Sequence, residues 1–373
     1  MTSKSRIFIG IYIAVGLICL IVLLASSYPD IAGLKLRPDA RLYGELYDMC
    51  MVDRFRISRT TDGMPPDPKP PEHHISDAKV LFIGDSFAEK DFGWDFGMVF
   101  EKKTGVPSFS KAFRGGPIDT PMNVLDGLGY TKGGGVKYLV LVYVERVLIL
   151  TPSISAGVHA QTGAPATKHM FTRAAMRIDS LKKYMIQTMP IEYLVTENPV
   201  GYRLMRLRNT FRSDVFGDMS WKIPVYSVDP PMLHYYMEVA SNRAPKDRRF
   251  VMNIAEYVKG ISDELDQRYG IKLIFMPVPN KYTLYGYEYD RYDYNTSGEE
   301  YDQFMRRLYD KLDRRGVTYI NLLDGFDANR ELVFDPSHEH WNFRGKNIAA
   351  SKLVDEYLRL EAAATSSPAP STP

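Results

Sequence analysis

Short apolar runs alternate with amphipathic helical stretches from residue 79 to about residue 361. The runs with the length and composition of buried strands are 80–83, 137–144, 271–276 and 317–322, and a further strand is predicted at 106–113. Between the last three of them in chain order, residues 250–269 and 304–312 repeat apolar residues at helical spacing. Strands that alternate with amphipathic helices are typical of a parallel sheet with helices on both faces. The sequence therefore predicts a doubly wound α/β domain over 79–361.

Three segments depart from this alternation. Residues 150–247, approximately, are rich in Met, Tyr, Arg and Pro, and we interpret them as an inserted subdomain. Residues 27–78 combine a short helical region with a proline-rich stretch at 64–71, which is typical of a stiff connector. Residues 362–373 have a low-complexity composition, and we predict that this tail is disordered.

The N-terminus carries an unbroken apolar run without a charge at residues 7–25. Its length is about that needed to cross the hydrocarbon core of a bilayer. Because Lys4 and Arg6 precede it, residues 1–6 are expected in the cytoplasm. We predict one transmembrane helix at 7–26, in the inner membrane, with the catalytic domain on the periplasmic or extracytoplasmic side. A cleaved signal peptide is the alternative, since small residues follow at 25–27.

Charge and cysteine content exclude several classes of protein. A formal net charge of +2 gives no strong field for a polyanion, so nucleic acid is not an expected partner. Cys50 is the only cysteine outside the apolar run, so no disulfide can form within the exported part. The close histidine pairs at 73/74 and 338/340 do not indicate a metal site, and no glycine-rich phosphate loop is present. No cofactor is therefore expected.

Gly84-Asp85-Ser86 follows directly after the first predicted strand. In open α/β sheets, ligands bind at the carboxyl ends of the strands. Gly84 permits a tight turn that would present the Ser86 hydroxyl to solvent, and the Ser86 amide could stabilise an oxyanion. The same tripeptide could simply cap a helix, so the motif alone leaves both interpretations open.

A serine nucleophile needs a base, and the segment 335–345 (DPSHEHWNFRG) offers one. It follows the last predicted strand and precedes the last helix, so it returns to the sheet edge that carries Ser86. The segment contains Asp335, His338 and His340, which are the residue types of a catalytic triad. A polar loop whose histidines cap the last helix is the alternative.

This combination of a strand-terminal Gly-Asp-Ser and an Asp/His loop resembles the SGNH hydrolase family. In that family the C-terminal block reads Asp-x-x-His, with an Asn two residues after the histidine and a Gly three residues later. His340, Asn342 and Gly345 match the second half of the pattern, whereas Asp335 and His338 match the first half. The resemblance implies an SGNH-like fold in which Ser86 is the nucleophile, His340 the base and Asp335 its acid, with His338 as the alternative base.

Three further blocks are similar to the alginate O-acetyltransferase branch of that superfamily. They are Pro-Asn-Lys at 279–281, Glu-Arg at 145–146 and His-Trp at 340–341. In that branch the acid lies two residues before the histidine, where this chain has His338, and the Asp-x-His block precedes the serine, whereas Ser86 comes first here. The resemblance covers about 79–150 and 250–350.

The resemblance also suggests oxyanion donors and substrate contacts. The Ser86 amide would act with a glycine at Gly115 or Gly116, where the family places a donor, although these glycines could form only a tight turn. A tyrosine-rich loop follows residue 281, and aromatic rings beside carboxylates suit sugar rings, although such loops also pack on their own core. The predicted substrate-binding residues are Arg146, Lys281, Tyr282, Tyr285 and Trp341, of which Arg146 and Lys281 could equally be structural.

The sequence thus favours a membrane-anchored O-acyltransferase that acetylates an exported polysaccharide or envelope glycan through an acyl-enzyme. The resemblance implies a partner, a polytopic membrane O-acyltransferase that supplies acyl groups across the membrane. Two alternatives remain open. One is a carbohydrate or lipid esterase with the same triad, and the other is a catalytically silent scaffold in a polysaccharide export complex.

Overall fold

The computed structural model describes residues 45–59, 73–88, 94–112, 121–150, 199–244, 246–289, 303–327 and 332–366. The predicted anchor, the proline-rich connector and the glycines at 115 and 116 lie outside these ranges. Among the described residues, no helix combines the length and apolarity that a membrane span requires. The chain forms two compact units, one drawn from residues 1–58 and 165–220 and the other from 59–164 and 221–373.

The second unit contains the predicted parallel sheet. The strands, in chain order, are β1 (Val80–Gly84), β2 (Ser108–Ala112), β3 (Tyr138–Val144), β4 (Val225–Val228), β5 (Pro231–His234) and β6 (Lys272–Val278). Four of them form a parallel sheet in the order β2-β1-β3-β6, while β4 and β5 pair as a separate antiparallel hairpin. Because the four strands are parallel, their carboxyl ends meet at one edge, where the chain leaves β1 at Asp85, β3 at Glu145 and β6 at Pro279.

The predicted strand at 317–322 contributes only a bridge between Tyr319 and Phe275. The Phe275 amide donates to the Thr318 carbonyl, and the Ile320 amide donates to the Phe275 carbonyl, both at 2.9 Å. The extended segment is short because a helix begins at Leu322. It still directs the chain along β6 toward the same edge of the sheet.

Helices cover both faces of the sheet. The helices of this unit are α2 (Phe96–Thr104), α3 (Pro121–Gly127), α4 (Glu145–Leu150), α6 (Tyr236–Arg243), α7 (Arg248–Tyr269), α8 (Lys281–Tyr289), α9 (Gln303–Asp313), α10 (Leu322–Asp327) and α11 (Phe343–Ser366). Leu81 and Ile83 of β1 join one apolar cluster with α7 and α9, whereas Val80 and Phe82 join another with α2 and α11. This alternation confirms the predicted α/β sheet with buried strands and flanking helices.

The other unit contains α1 (Glu45–Cys50), a short 3-10 helix (Asp53–Phe55) and α5 (Pro199–Phe216). Polar contacts join these elements, including an Asn209 Nδ2 donation to the Cys50 carbonyl at 3.0 Å and an Arg206–Asp53 ion pair at 2.9 Å. The tyrosine hydroxyls of Tyr202 and Tyr47 lie 3.4 Å apart in its interior.

Two segment boundaries differ from those predicted. Within the expected insertion at 150–247, the residues from Trp221 onward belong to the unit of the sheet. There the Leu233 amide of β5 donates to the Pro336 carbonyl at 2.9 Å, which ties the hairpin to the 335–342 loop. Residues 362–366, which were expected in the disordered tail, are helical, since α11 continues through Ser366. Its alanine-rich end has high helix propensity, which low complexity conceals.

Candidate active site

Ser86 lies in a tight turn at the carboxyl end of β1, and its side chain is exposed. The turn begins at Gly84, where a Cβ atom would lie 2.5 Å from the Val142 carbonyl oxygen and 2.8 Å from Val142 Cβ. Glycine is therefore required because β1 and β3 approach closely, and not because of an unusual backbone angle.

Asp85 fastens this turn to the neighbouring strand. Its Oδ1 accepts from the Phe87 amide at 3.0 Å, and its Oδ2 accepts from the Val144 amide at 2.7 Å. Burial raises the pKa of Asp85 to about 6, although these two hydrogen bonds act in the opposite direction. The Asp of the Gly-Asp-Ser motif thus holds Ser86 in place between β1 and β3.

The structure brings Ser86 and His340 together across 254 residues of chain. Nε2 of His340 lies 2.6 Å from Oγ of Ser86, which is hydrogen-bond distance. The His340 ring packs on Phe87 with ring centroids 4.8 Å apart. The pair has the geometry that a serine nucleophile and its general base require.

His338 lies on the other side of the His340 ring. Its Nδ1 is 3.1 Å from Nδ1 of His340 and also accepts the main-chain N–H of His340 at 3.0 Å. His338 therefore does not contact Ser86 in the structure, whereas the alternative base would have to do so. It contacts the ring nitrogen that an orienting acid contacts in a triad.

The carboxylate of Asp335 differs from its expected position. Its Oδ2 accepts from Nε of Arg59 at 3.0 Å in a buried ion pair. The Asp335 carbonyl accepts from Lys281, and the His338 amide donates to the same carbonyl at 3.2 Å. Asp335 thus shapes the 335–340 turn, while the ring of His338 occupies the place beside Nδ1 of His340. Spacing could not reveal this, because turn geometry decides which side chain of the loop points at the base.

Lys281 is buried and holds the histidine loop. Its Nζ donates to the carbonyls of Asp335 at 2.7 Å, Pro336 at 2.6 Å and His338 at 3.2 Å. An ammonium group has three donors, so these carbonyls use all of them. Burial lowers the pKa of Lys281 to about 7, against the influence of Glu238 and Asp335. The predicted substrate contact is contradicted, since the side chain has no accessible surface.

The aromatic residues that were predicted to bind substrate also lie largely in the interior. Trp341 is buried and packs on Phe87 and Phe96, with ring centroids 5.4 Å apart in both pairs. Tyr282 is buried against His234. Tyr285 is partly buried, and its hydroxyl accepts the Val333 amide at 3.0 Å. Trp341 and Tyr282 therefore belong to the core of the unit and not to a substrate surface.

Arg146 forms a buried cluster with two carboxylates that sequence reasoning missed. Its Nη1 lies 3.2 Å from Oε1 of Glu238, and its Nη2 lies 3.2 Å from Oε2 of Glu339. Burial raises the pKa of Glu238 to about 7, while Arg146 lowers it. The other oxygen of Glu339, Oε1, lies 4.0 Å from Nε2 of His340. Only the position of Glu339 between the two histidines signalled its place near the site, and Glu238 lies in the segment interpreted as an insertion.

The Pro-Asn-Lys and Glu-Arg blocks meet at the sheet edge in one buried network. Glu145 Oε2 accepts from the Asn280 amide at 3.0 Å and from the Thr283 hydroxyl. Asn280 Oδ1 accepts the Arg146 amide at 3.2 Å. These blocks therefore join the carboxyl end of β3 to that of β6, which fixes both Arg146 and Lys281.

Asn342 and Gly345 explain the second half of the histidine motif. Asn342 Oδ1 accepts the Gly345 amide at 2.9 Å, as an N-cap does at the start of α11. A Cβ atom on Gly345 would overlap the Val333 carbonyl oxygen. The Asn and Gly therefore fix the start of the last helix, which directs His340 toward Ser86.

The site is electropositive around His340. Burial lowers the pKa of His340 well below its ordinary value, and Arg146, Arg59 and Lys346 act in the same direction. His340 is thus neutral and able to accept a proton at neutral pH. The Ser86 amide donates to no group among the described residues and is available to an oxyanion.

Residues 235–371 match the family model described as "SGNH hydrolase-like domain, acetyltransferase AlgX". The match confirms the resemblance to the SGNH superfamily and its alginate O-acetyltransferase-like branch, and it supports an activity of the acetyltransferase or esterase type. The matched range contains Lys281, His338 and His340, whereas Ser86 lies before it. No curated protein and no solved structure gives a significant match to the chain.

Proposed function

We propose that this protein is an O-acyltransferase that uses Ser86 as a covalent nucleophile. The observation that carries the proposal is the 2.6 Å contact between Ser86 Oγ and His340 Nε2. The match of residues 235–371 to an acetyltransferase family model supports acyl transfer as the reaction class. The polar, solvent-facing position of Ser86 at the carboxyl edge of the sheet is the place where α/β folds bind ligands.

In the first half-reaction, His340 Nε2 takes the hydroxyl proton while Ser86 Oγ attacks the acyl carbonyl. The tetrahedral oxyanion is stabilised by the Ser86 amide together with a second donor. Collapse breaks the bond to the leaving group, which receives the proton from His340. The product is an acyl ester on Ser86.

In the second half-reaction, an acceptor hydroxyl gives its proton to His340 and its oxygen attacks the acyl-Ser86 carbonyl. Collapse returns the proton to Ser86 and releases the acylated acceptor. We further propose that the acceptor is an exported polysaccharide or envelope glycan. Support for this comes from the acetyltransferase family match, and from the apolar run at 7–25, which would hold the domain at the outer surface of the membrane.

The predicted membrane anchor also suggests the acyl source. Activated acyl groups are made in the cytoplasm, so an exported transferase needs a polytopic membrane O-acyltransferase to pass them across. We propose such a partner as the donor. Reporter fusions at residue 361 that are active only when exported would support this topology, and activity in the cytoplasm would contradict it.

The central experiment measures acylation of Ser86 by intact mass after incubation with p-nitrophenyl acetate. The wild-type protein should gain one acetyl group, located at Ser86 by peptide mapping. Ser86→Ala should lose the adduct and at least about 10³-fold of the p-nitrophenol release rate. Ser351→Ala is the matched control, because Ser351 is an exposed serine on α11.

Full turnover by Ser86→Ala would rule out the covalent mechanism. Adding a soluble glycan to the acetylated enzyme then separates transfer from hydrolysis. Acetyl groups found on the glycan indicate a transferase, and acetate released at the same rate with or without glycan indicates an esterase.

A further inference from the structure

We propose that His338 is the positioning residue for His340, so that the reaction runs on a Ser86–His340–His338 triad with fixed tautomers. The inference rests on the proposed function, since it concerns the same site. It assigns the orienting role to a neutral histidine, which holds the base in place without supplying the negative charge that a carboxylate would bring.

Hydrogen-bond geometry determines the tautomers. The main-chain N–H of His340 can only donate, and it points at Nδ1 of His338 at 3.0 Å. Nδ1 of His338 must therefore be an unprotonated acceptor, and the proton of that ring lies on Nε2. Because Nδ1 of His340 lies 3.1 Å from the same acceptor, it must carry a proton. Nε2 of His340 is then the free base that faces the Ser86 hydroxyl at 2.6 Å.

Covalent structure explains why a histidine can fill this place. Nδ1 of histidine and Oδ1 of aspartate or asparagine are each bonded directly to Cγ. All three side chains can therefore present an acceptor at about the same point from the same backbone position. His338 keeps the acceptor that orients His340, and it differs from an aspartate only in charge and in the bulk of its ring.

The surroundings of His338 would favour a negative charge there. Burial lowers the pKa of His338 far below its ordinary value, and His340, Arg59, Lys281 and Arg146 act in the same direction. Within this unit, the described charged groups that act on the two rings come from several elements. They are Arg59 before β1, Arg146 on α4, Lys281 on α8, Lys346 on α11 and Glu339 in the loop. The cations around position 338 create a positive potential, and the neutral ring of His338 lies in it.

The absence of a negative charge at position 338 affects the pKa of His340, the base. When His340 accepts the Ser86 proton it becomes a cation beside a neutral His338, and Glu339 Oε1, at 4.0 Å from Nε2, supplies a nearby carboxylate. The neutral ring of His338 therefore gives little stabilisation to the protonated form of His340 from the Nδ1 side. We expect the acid limb of the acylation rate to fall below pH 6.5, the ordinary value for histidine.

The test compares three substitutions in the full-length protein, with the rate of Ser86 acetylation by p-nitrophenyl acetate measured across pH. His338→Ala removes the acceptor and should slow acylation by about 10²-fold or more. His338→Asn restores the acceptor without charge and should recover most of that loss, with the acid limb unmoved. His338→Asp restores it with charge and should move the acid limb upward by about 1–3 pH units, because a carboxylate stabilises the imidazolium.

A merely structural role for His338 predicts a different pattern. Equal losses in His338→Ala and His338→Asn, or wild-type rates in His338→Ala, would overturn the inference. An unchanged acid limb in active His338→Asp would refute the argument from charge. If Ser86→Ala remains active, the proposed function fails instead, and the two failures are thus distinguishable.

The tautomers can also be measured directly in the wild-type protein. ¹⁵N NMR of histidine-labelled protein should show a proton on Nδ1 of His340 and on Nε2 of His338 at pH 7. His340→Gln and His338→Asn spectra would assign the two rings. Finding the Nε2–H tautomer for His340 would overturn the proposal whatever the stability of the variants.

Discussion

Replacement of Lys281 by methionine tests whether this residue holds the histidine loop at 335–342 or contacts substrate. The change keeps the length of the side chain and removes the ammonium group. It leaves three carbonyls, those of Asp335, Pro336 and His338, without the donor that now lies 2.6–3.2 Å away. The loop should then lose both stability and the fixed direction of His340.

The magnitude follows from the hydrogen bonds. Each bond contributes about 1 kcal/mol net. The Asp335 and Pro336 carbonyls keep main-chain donors, the amides of His338 and Leu233, so only the His338 carbonyl loses its described donor. Against this, methionine avoids the desolvation of a cation, which is the effect that lowers the pKa of Lys281 to about 7. We therefore expect a net decrease of about 2–3 kcal/mol in the free energy of unfolding, because the relief of desolvation offsets part of the loss of three hydrogen bonds.

Urea unfolding followed by tryptophan fluorescence measures this change. All three tryptophans, at 94, 221 and 341, lie in the unit that contains the loop, so their emission reports on it. Lys103→Met is the control, because Lys103 is exposed on α2 and its replacement should change stability by less than about 0.5 kcal/mol. Acetylation of Ser86 should also slow in Lys281→Met. Unchanged stability together with weaker binding of a glycan acceptor would refute the structural role and return Lys281 to the substrate site.

Two other substitutions test the packing around the site. Gly345→Ala should destabilise the protein by about 1–3 kcal/mol, because the new Cβ atom would meet the Val333 carbonyl. Gly260→Ala, in open space on α7, is the control and should stabilise the protein by about 0.5–1 kcal/mol. Equal effects of the two substitutions in urea unfolding would contradict the close approach at Gly345. Arg146→Met should cost about 3–5 kcal/mol, since it leaves the buried carboxylates of Glu238 and Glu339 without their cation, and adding Glu238→Gln should recover part of that loss. No recovery in the double variant would show that the cost arises from packing alone.

The parallel sheet and the principal helices could be predicted from the sequence, because their signals are local. Residues 273–276 are apolar throughout, as a strand buried on both faces must be, and β6 buries all of them. Residues 250–269 repeat apolar residues at helical spacing, and α7 buries Ile254, Val258 and Leu265. Where the signal was compositional and not periodic, at residues 362–366 and in the 221–244 segment, the sequence did not predict the helix and the hairpin that the structure shows.

The chain itself also indicated which residues meet at the site, since parallel strands bring their carboxyl ends together. Ser86 follows β1 and the histidine loop follows the last extended segment, so their proximity was predictable from order along the chain. What the order of residues could not determine was the direction of each side chain within the loop. Asp335, His338 and His340 lie within six residues, and any acid–base pairing among them satisfied the spacing.

Tertiary structure alone decided that pairing. Lys281 binds the carbonyls of the loop and Arg59 binds the Asp335 carboxylate, so the acid is turned away and the ring of His338 lies beside the base. Both cations come from distant positions in the chain, and neither has a local sequence signal that connects it to the histidines. The sequence by itself therefore determined the sheet, the edge that carries the candidate site and the candidate nucleophile, because these depend on hydrophobic period and strand direction. The identity of the orienting residue depended on buried charges that meet only after the chain has folded.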